Sequence, residues 1–164
     1  MKTKTITLYE YSELGPEAQE KARAKWNETN DDPLMQSHMI NLLKEKLEER
    51  GIKYDTDSMD VRYSLSSCQG DGFMFIGKVE WRGQTITITH KDAHYYHMHT
   101  AQFDYDGLTE AEFGQFEAVY QAVCKEMERI GYDEIEYAQS AEAFEQACDA
   151  NEYTFREDGT MENE

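Results

Sequence analysis

The spacing of apolar residues along the chain changes from helical to alternating and then back to helical. Two stripes with a helical repeat occupy residues 16–29 and about 34–50, and only the short segment 30–33 separates them. We therefore expect two helices that form a hairpin. Before them, residues 3–11 alternate threonines with Ile6 and Leu8, which predicts a short strand.

The middle third of the sequence alternates apolar and polar residues over four short segments. Residues 59–67, 73–81, 84–90 and 94–104 are the predicted strands. The connections between them are too short for helical crossovers, and the turn-forming pairs Asp71-Gly72 and Arg82-Gly83 lie in two of them. The four strands should therefore pair as an antiparallel meander.

The last third returns to a helical repeat and carries helix-capping signals. Thr109 and Glu112 have the spacing of a capping box, and the helix that they open has apolar residues at three- and four-residue steps as far as Ile130. Gly131 is expected to end this helix. Ser140 is a suitable N-cap for a further short helix, and residues 152–156 predict a brief strand.

These elements predict an α+β protein. We expect an antiparallel β-meander of about four strands packed against an N-terminal helical hairpin and a long C-terminal helix. The 164 residues contain no repeat or linker and have the length of a single domain. Residues 1–51 would form the strand and the hairpin, residues 52–106 the sheet, and residues 107–164 an acidic helical segment.

The charge of the sequence is unevenly distributed. There are 34 acidic and 16 basic residues, for a formal net charge of −18. This charge excludes direct binding to nucleic acid and to anionic membranes, because basic residues are needed to neutralise their phosphates. Residues 104–164 contain 18 of the acidic and only 3 of the basic side chains, so a net charge of −15 lies in this segment.

So dense an acidic segment either keeps the protein soluble or binds a basic partner, and the sequence leaves both interpretations open. Carboxylates along a helix of ~22 residues, ~33 Å long, can take the place of phosphates on a basic nucleic-acid-binding surface. We therefore predict a non-enzymatic protein that binds such a surface of another protein, with a homodimer also possible through the long helix. The predicted partner-binding residues are Asp104, Asp106, Glu110, Glu112, Glu117, Glu126, Glu128, Asp133, Glu134 and Glu136.

Four histidines lie close together in the sequence and provide an alternative function. His97 and His99, at alternate positions of a predicted strand, point to the same side and can share a metal ion, with His90 or His94 as a further ligand. The alternative is a metal-binding protein or a metal-dependent enzyme. An aromatic, half-exposed sheet surface explains the same residues, so no cofactor is predicted.

The remaining reactive side chains are the thiols and the serines beside a glycine-rich turn. Cys68, Cys124 and Cys148 are odd in number and lack the spacing of metal ligands, which predicts reduced thiols in the cytoplasm. Ser67 or Cys68 would be a nucleophile only with a histidine positioned as its base. The neighbouring glycines fit a tight turn at least as well, so no catalytic residue is predicted.

Three motifs are distinctive: Ser-Cys-Gln-Gly-Asp-Gly at 67–72, His-Tyr-Tyr-His at 94–97, and Asn-Glu-Tyr-Thr-Phe at 151–155 followed by Asp158-Gly159. Together they resemble a family of small bacteriophage proteins. Members of the family usually have Ser-Gln-Gly-Asp-Gly at the turn, so Cys68 is an insertion in this sequence. The resemblance implies a phage origin and a location in the host cytoplasm, and it transfers no catalytic residue.

Phage origin and acidic charge together favour a protein that inhibits or modulates a host protein. Nucleases and defence complexes that hold nucleic acid in basic channels, such as CRISPR effectors and restriction enzymes, are the expected partners. Some members of the family are labelled as antitoxins. A protein that neutralises a cognate toxin is therefore a further alternative.

Overall fold

The structure is a computed structural model that describes residues 1–29, 36–67, 69–91 and 95–162. The described chain contains four α-helices, five β-strands and two short 3-10 helices, Tyr11–Glu13 and Met98–Thr100. In chain order the helices and strands are α1 (Pro16–Thr29), α2 (Gln36–Glu49), β1 (Lys53–Tyr54), β2 (Asp60–Ser64), β3 (Gly72–Trp81), β4 (Gln84–His90), β5 (Ala101–Tyr105), α3 (Glu110–Ala138) and α4 (Ala141–Asn151).

The chain divides into two compact units. The first unit combines Met1–Pro33 with Glu134–Glu164, and the second is Leu34–Asp133. The second unit contains the whole sheet, α2 and most of α3, whereas the first contains α1, the end of α3 and α4. The expectation of a single domain over residues 1–164 stays a prediction.

The sheet of the second unit is an antiparallel meander built around β3. On one edge β3 pairs with β4, and β4 in turn pairs with β5. On its other edge β3 pairs with β2 near its start and with β1 near its end. Residues 55–59 form a turn between β1 and β2, and both strands pair along the same edge of β3, so they occupy one position in the sheet. Five strands therefore fill the four positions that the sequence predicted.

Apolar side chains of α2, α3 and the sheet form the core of the second unit. The phenol ring of Tyr120 on α3 lies 4.6 Å from the ring of Phe75 on β3, measured between centroids. Its hydroxyl also bonds to the Phe75 backbone. The other buried side chains of this core include Met39, Leu43, Leu47, Phe73, Val79, Ile86, Ile88, Phe116, Val123 and Met127.

The first unit has a smaller core between α1 and α4. The ring of Phe144 packs edge-on against Tyr11, with 5.0 Å between the ring centroids. Phe155, which is fully buried, lies beside both rings. Ala18 and Ala22 complete the core from α1. Each of the two N-terminal helices thus has packing partners within its own unit, and the predicted hairpin between them stays a prediction.

The α+β class is confirmed, together with most of the capping signals. An antiparallel sheet is combined with helices near the N-terminus and a long helix toward the C-terminus. Arg82 and Gly83 both have positive φ, which is what the two-residue turn between β3 and β4 requires. Ser140 caps α4 by accepting a hydrogen bond from the Ala143 N–H.

Three predictions of secondary structure were wrong. Residues 3–11 are not a strand, because within them only Tyr9 forms a β-bridge, with Phe155. Phe155 also forms a bridge with Met161 in place of the strand predicted over 152–156. Gly131 does not end α3, which continues to Ala138. Gly131 is buried and lacks the positive φ with which a glycine terminates a helix.

Two further features concern the apolar character of the described helices and the state of the described cysteines. None of the helices combines the length and the apolar composition that crossing a membrane requires. Cys124 and Cys148 are both unpaired and buried. Burial raises the pKa of both thiols, to about 11 for Cys148, which keeps them protonated. Cys68 and the segment 30–35 lie outside the described residues.

Candidate functional site

The connection between β5 and α3 carries three carboxylates that face solvent. Phe103 belongs to the inner side of β5, and the alternation of the strand leaves Asp104 exposed on the opposite side. Asp106 follows in the turn, and Glu110 is the first residue of α3. None of the three carboxylates forms an ion pair with a described residue. We call Asp104, Asp106 and Glu110 the acidic connection.

Glu112 has a structural role at the start of α3. Its backbone N–H donates to the Thr109 hydroxyl, and its carboxylate accepts from the Thr109 N–H, both at 3.1 Å. The bond from the Thr109 backbone, followed by that from its side chain, lowers the pKa of the Glu112 carboxyl. The capping box is confirmed, and it occupies one of the predicted partner-binding carboxylates.

Glu126 is neutralised within the second unit. Its carboxylate lies 2.8 Å from the Arg50 guanidinium and 3.3 Å from the Lys46 ammonium, both of which belong to the C-terminal end of the α2 segment. The hydrogen bond from Arg50 is the main cause of a lowered pKa of Glu126. This carboxylate therefore joins α2 to α3, and its charge is not available to a basic partner.

The other carboxylates of α3 in the second unit do not form one continuous row. At about 100° per residue, Glu117 and Glu128 fall on nearly the same side of the helix, and Asp133 falls on another. The exposed residues Lys125 and Arg129 lie between these two lines. Glu117 and Glu128 are half-buried, so Asp133 is the most open carboxylate of this part of the helix.

The last two predicted residues, Glu134 and Glu136, belong to the first unit. Glu134 is half-buried and Glu136 is exposed. The ten predicted residues thus separate into groups. Four exposed carboxylates lie in the second unit, two carboxylates are engaged at a cap and an ion pair, two are half-buried, and two belong to the first unit.

The histidines do not have the arrangement that the sequence predicted. His97 and His99 do not lie on a strand, because His97 caps the 3-10 helix Met98–Thr100. The His97 Nδ1 accepts a hydrogen bond of 3.2 Å from the His99 N–H, and the two rings stack with 4.8 Å between centroids. The His90 Nε2 donates to the carbonyl of Tyr95 at 2.7 Å. His94 lies outside the described residues.

This geometry directs the imidazoles to protein partners. Both the Nδ1 of His97 and the Nε2 of His90 are engaged in hydrogen bonds. Burial and the neighbouring His99 lower the pKa of His97, and Glu128 opposes this shift. Among the described residues, no group of three or more histidine, cysteine or acidic side chains is placed to hold a metal ion.

Sequence reasoning missed a second polar cluster, around Asp71. The Asp71 carboxylate accepts hydrogen bonds from the Ser66 N–H at 2.9 Å and from the hydroxyls of Ser64 and Ser66. It also accepts a bond from the Tyr132 hydroxyl on α3. Burial, and then this bond to Asp71, raise the pKa of Tyr132 to about 12, so the phenol stays protonated and donates.

The hydrogen bonds of Asp71 fix the turn between β2 and β3 beside α3, and the turn also packs closely against residues 95–97. A Cβ atom at Gly72 would lie 2.5 Å from the His97 ring, and one at Gly70 would lie 3.1 Å from the Tyr95 ring. The sequence identified Asp71-Gly72 only as a turn signal, because no local pattern points from Tyr132 to a residue 61 positions earlier. The Asp71 carboxylate accepts these hydrogen bonds from donors of its own unit, which indicates a structural role.

Comparisons with known proteins do not connect this site to a family. A scan against protein-family models, a search of curated proteins and a search of solved structures each found no match for the chain.

Proposed function

We propose that the protein is a non-enzymatic acidic binding protein that occupies the basic surface of a nucleic-acid-binding protein. The observation that carries the proposal is the acidic connection together with Asp133: four exposed carboxylates that form no ion pair with a described residue. They lie in the segment in which 18 acidic residues are accompanied by only 3 basic ones. Unpaired charges of one sign are suited to a partner of the opposite sign.

Such a surface mainly raises the rate of association and the selectivity for a partner, and it adds little to the binding free energy. Each exposed ion pair contributes only about 0.2–1 kcal/mol, so a single carboxylate would not hold a partner. Several carboxylates together raise the rate of association and disfavour partners of the same sign. Because exposed charges are screened over about 10 Å at 0.1 M salt, the complex should weaken as the salt concentration rises.

The class of partner is the more specific part of the proposal. Basic surfaces that bind phosphates are common in nucleases and in defence complexes, and carboxylates can replace phosphates on them. The resemblance to small phage proteins supports a bacterial host as the source of the partner and inhibition or modulation as the outcome. The supporting motifs are those at 67–72, 94–97 and 151–155.

Charge reversal at four positions tests the proposal. The variant carries Asp104→Lys, Asp106→Lys, Glu110→Lys and Asp133→Lys, and it leaves the cap at Glu112 and the ion pairs of Glu126 intact. Immobilised wild-type protein should capture a nucleic-acid-binding protein from a bacterial lysate at low salt and release it at high salt. The variant should capture about tenfold less of that partner, because repulsion replaces attraction at each position.

A matched control separates this surface from the overall charge. Glu45, Asp55, Asp57 and Glu80 are exposed acidic residues of the same unit outside the acidic segment. Their reversal to Lys changes the net charge by the same amount. The control should capture the partner with at most a small loss. The proposal would be contradicted if the first variant captured the partner as well as the wild type does, or if both variants lost capture equally. It would also be contradicted if no captured protein differed in amount between the two variants.

A further inference from the structure

The first unit contains a cleft beside the C-terminal half of α1. It has a volume of about 760 Å³ and lies between this helix and residues 153–161. This volume is within the range of about 300–1,000 Å³ that is typical of small-molecule sites. The residues of its lining that matter most here are Lys21, Lys25, Trp26, Tyr153, Phe155 and Met161.

The walls of the cleft are held in place by contacts of the unit itself. Phe155 is fully buried, and backbone bridges join it to Tyr9 on one side and to Met161 on the other. Gly159 lies so close to α1 that a Cβ atom there would be 2.3 Å from the carbonyl oxygen of Ala18. The cleft therefore exists before a ligand binds, which lowers the entropic cost of binding.

Aromatic and apolar groups dominate the interior of the cleft. The indole of Trp26 packs against Phe144 with 5.1 Å between the rings, and it is half-buried, so part of it borders the cleft. Tyr153 is likewise half-buried, and the Met161 side chain is 36% exposed. Flat aromatic rings and a thioether favour a ligand with a planar apolar body.

The charged residues at the edge of the cleft favour a ligand that carries a single negative charge. Lys21 already has a partner, since its ammonium lies 3.6 Å from the Asp158 carboxylate. Lys25 is exposed and forms no ion pair with a described residue, so one cation is available. Glu28 also lines the cleft and would repel a second negative charge.

We propose that this cleft is a binding site for a small aromatic monoanion, which inserts its ring system between Trp26 and Tyr153 and places its anionic group beside Lys25. The site lies within the first unit and is independent of the acidic connection. It would let the protein bind a metabolite-sized ligand in addition to a macromolecular partner.

Binding of 8-anilinonaphthalene-1-sulfonate to the intact protein tests this site. The dye combines a planar aromatic body with one negative charge, and its fluorescence rises when water is excluded. We expect saturable binding of one molecule per chain. The neutral analogue N-phenyl-1-naphthylamine should bind about fivefold more weakly, because it cannot pair with Lys25.

Two matched pairs of variants locate the site. Ala24→Phe places a ring in the cleft and should weaken dye binding by about tenfold or more, whereas Ala118→Phe alters an exposed alanine of α3 and should not. Lys25→Glu should weaken binding about fivefold to tenfold, and Lys125→Glu should leave it unchanged. These are exposed positions, so thermal unfolding midpoints should stay within about 2 °C of the wild type.

The outcomes that overturn the inference are equally specific. Absence of saturable binding, or a stoichiometry above one, would show dye adsorption without a site. Equal effects within each pair of variants would place the bound dye elsewhere. Equal affinity for the neutral analogue would remove the role of Lys25 and with it the proposed ligand class.

Discussion

The hydroxyl group of Tyr120 offers the sharpest test of how α3 is attached to the sheet. It accepts a hydrogen bond from the Phe75 N–H at 3.2 Å and donates one to the Phe75 carbonyl at 3.0 Å. Pairing of β3 with β4 extends only from Gly77 to Trp81, so the ladder stops before Phe75. The opposite edge of β3 pairs with β2 at this point, where Val61 lies opposite Phe75, and on the β4 edge the phenol takes the place of the missing strand.

Tyr120→Phe keeps the aromatic ring in the core but removes both hydrogen bonds. The side chain is 1% exposed, so water does not reach the Phe75 N–H and carbonyl that lose their partner. An unsatisfied buried polar group costs about 1–3 kcal/mol. We expect the free energy of unfolding of the second unit to fall by about 1–3 kcal/mol, because the Phe75 carbonyl loses its partner while the Phe75 N–H keeps a weak one in the Cys124 thiol.

Urea denaturation followed by tryptophan fluorescence measures this change. In a Trp26→Phe background the remaining Trp81 reports on the second unit alone. The urea midpoint should fall by about 1 M, given m-values of about 1–3 kcal/mol/M. Tyr105→Phe is the control, because that half-buried ring stacks on Phe113 and no hydrogen bond of its hydroxyl is found among the described residues. Equal midpoints in the two variants would refute the role given to Tyr120.

Two further predictions concern the segment around His97. The pKa of His97 is lowered, mainly by burial and then by His99, so the folded state binds a proton less readily than the unfolded chain. Stability should therefore decrease as the pH falls below about 6.5. His97→Asn keeps an acceptor for the His99 N–H and should make the stability less dependent on pH, as measured by urea titrations between about pH 7 and 5. If the dependence on pH were unchanged in this variant, groups other than His97 would cause it. Gly72→Ala should cost about 1–3 kcal/mol, because the new Cβ would lie 2.5 Å from the His97 ring and 2.9 Å from the Tyr96 carbonyl oxygen. Gly114→Ala, at an open position of α3, should instead stabilise by about 0.5–1 kcal/mol, and a loss at Gly114 as large as that at Gly72 would contradict the steric argument.

Caps and tight turns were predictable from the sequence, because they depend only on residues that are close together in the chain. The box formed by Thr109 and Glu112, the N-cap at Ser140 and the turn at Arg82-Gly83 need only three or four consecutive residues, and all three are present. The strands β2 and β4 were predicted because they alternate apolar and polar residues, as the second half of β3 also does. These features determine where elements begin and which faces they bury.

Features that depend on distant residues were not predictable. The periodicity assigned Tyr120 to the core, but nothing in the pattern pairs its hydroxyl with a backbone 45 positions earlier. The two-residue strand β1 is too short to show a period. His97 and His99 alternate as strand residues do, yet a hydrogen bond from the backbone to an imidazole ring produces a 3-10 helix.

The candidate acidic surface was predicted only at the level of the segment. Counting charges located the excess in residues 104–164. It did not separate the exposed Asp104 and Asp106 from Glu126, because the pairing of Glu126 with Arg50 depends on how α2 and α3 pack. A charge count therefore gives the sign and the approximate position of a surface, and the structure selects the carboxylates that remain available.

Competition with nucleic acid tests the central proposal most directly. The partner captured from a bacterial lysate is purified, bound to the immobilised protein at low salt, and titrated with duplex DNA or with RNA at constant ionic strength. If the acidic connection occupies the nucleic-acid-binding surface, the nucleic acid should release the partner completely, and no complex of all three components should form. A partner that binds nucleic acid while it stays attached to the protein would contradict the proposal.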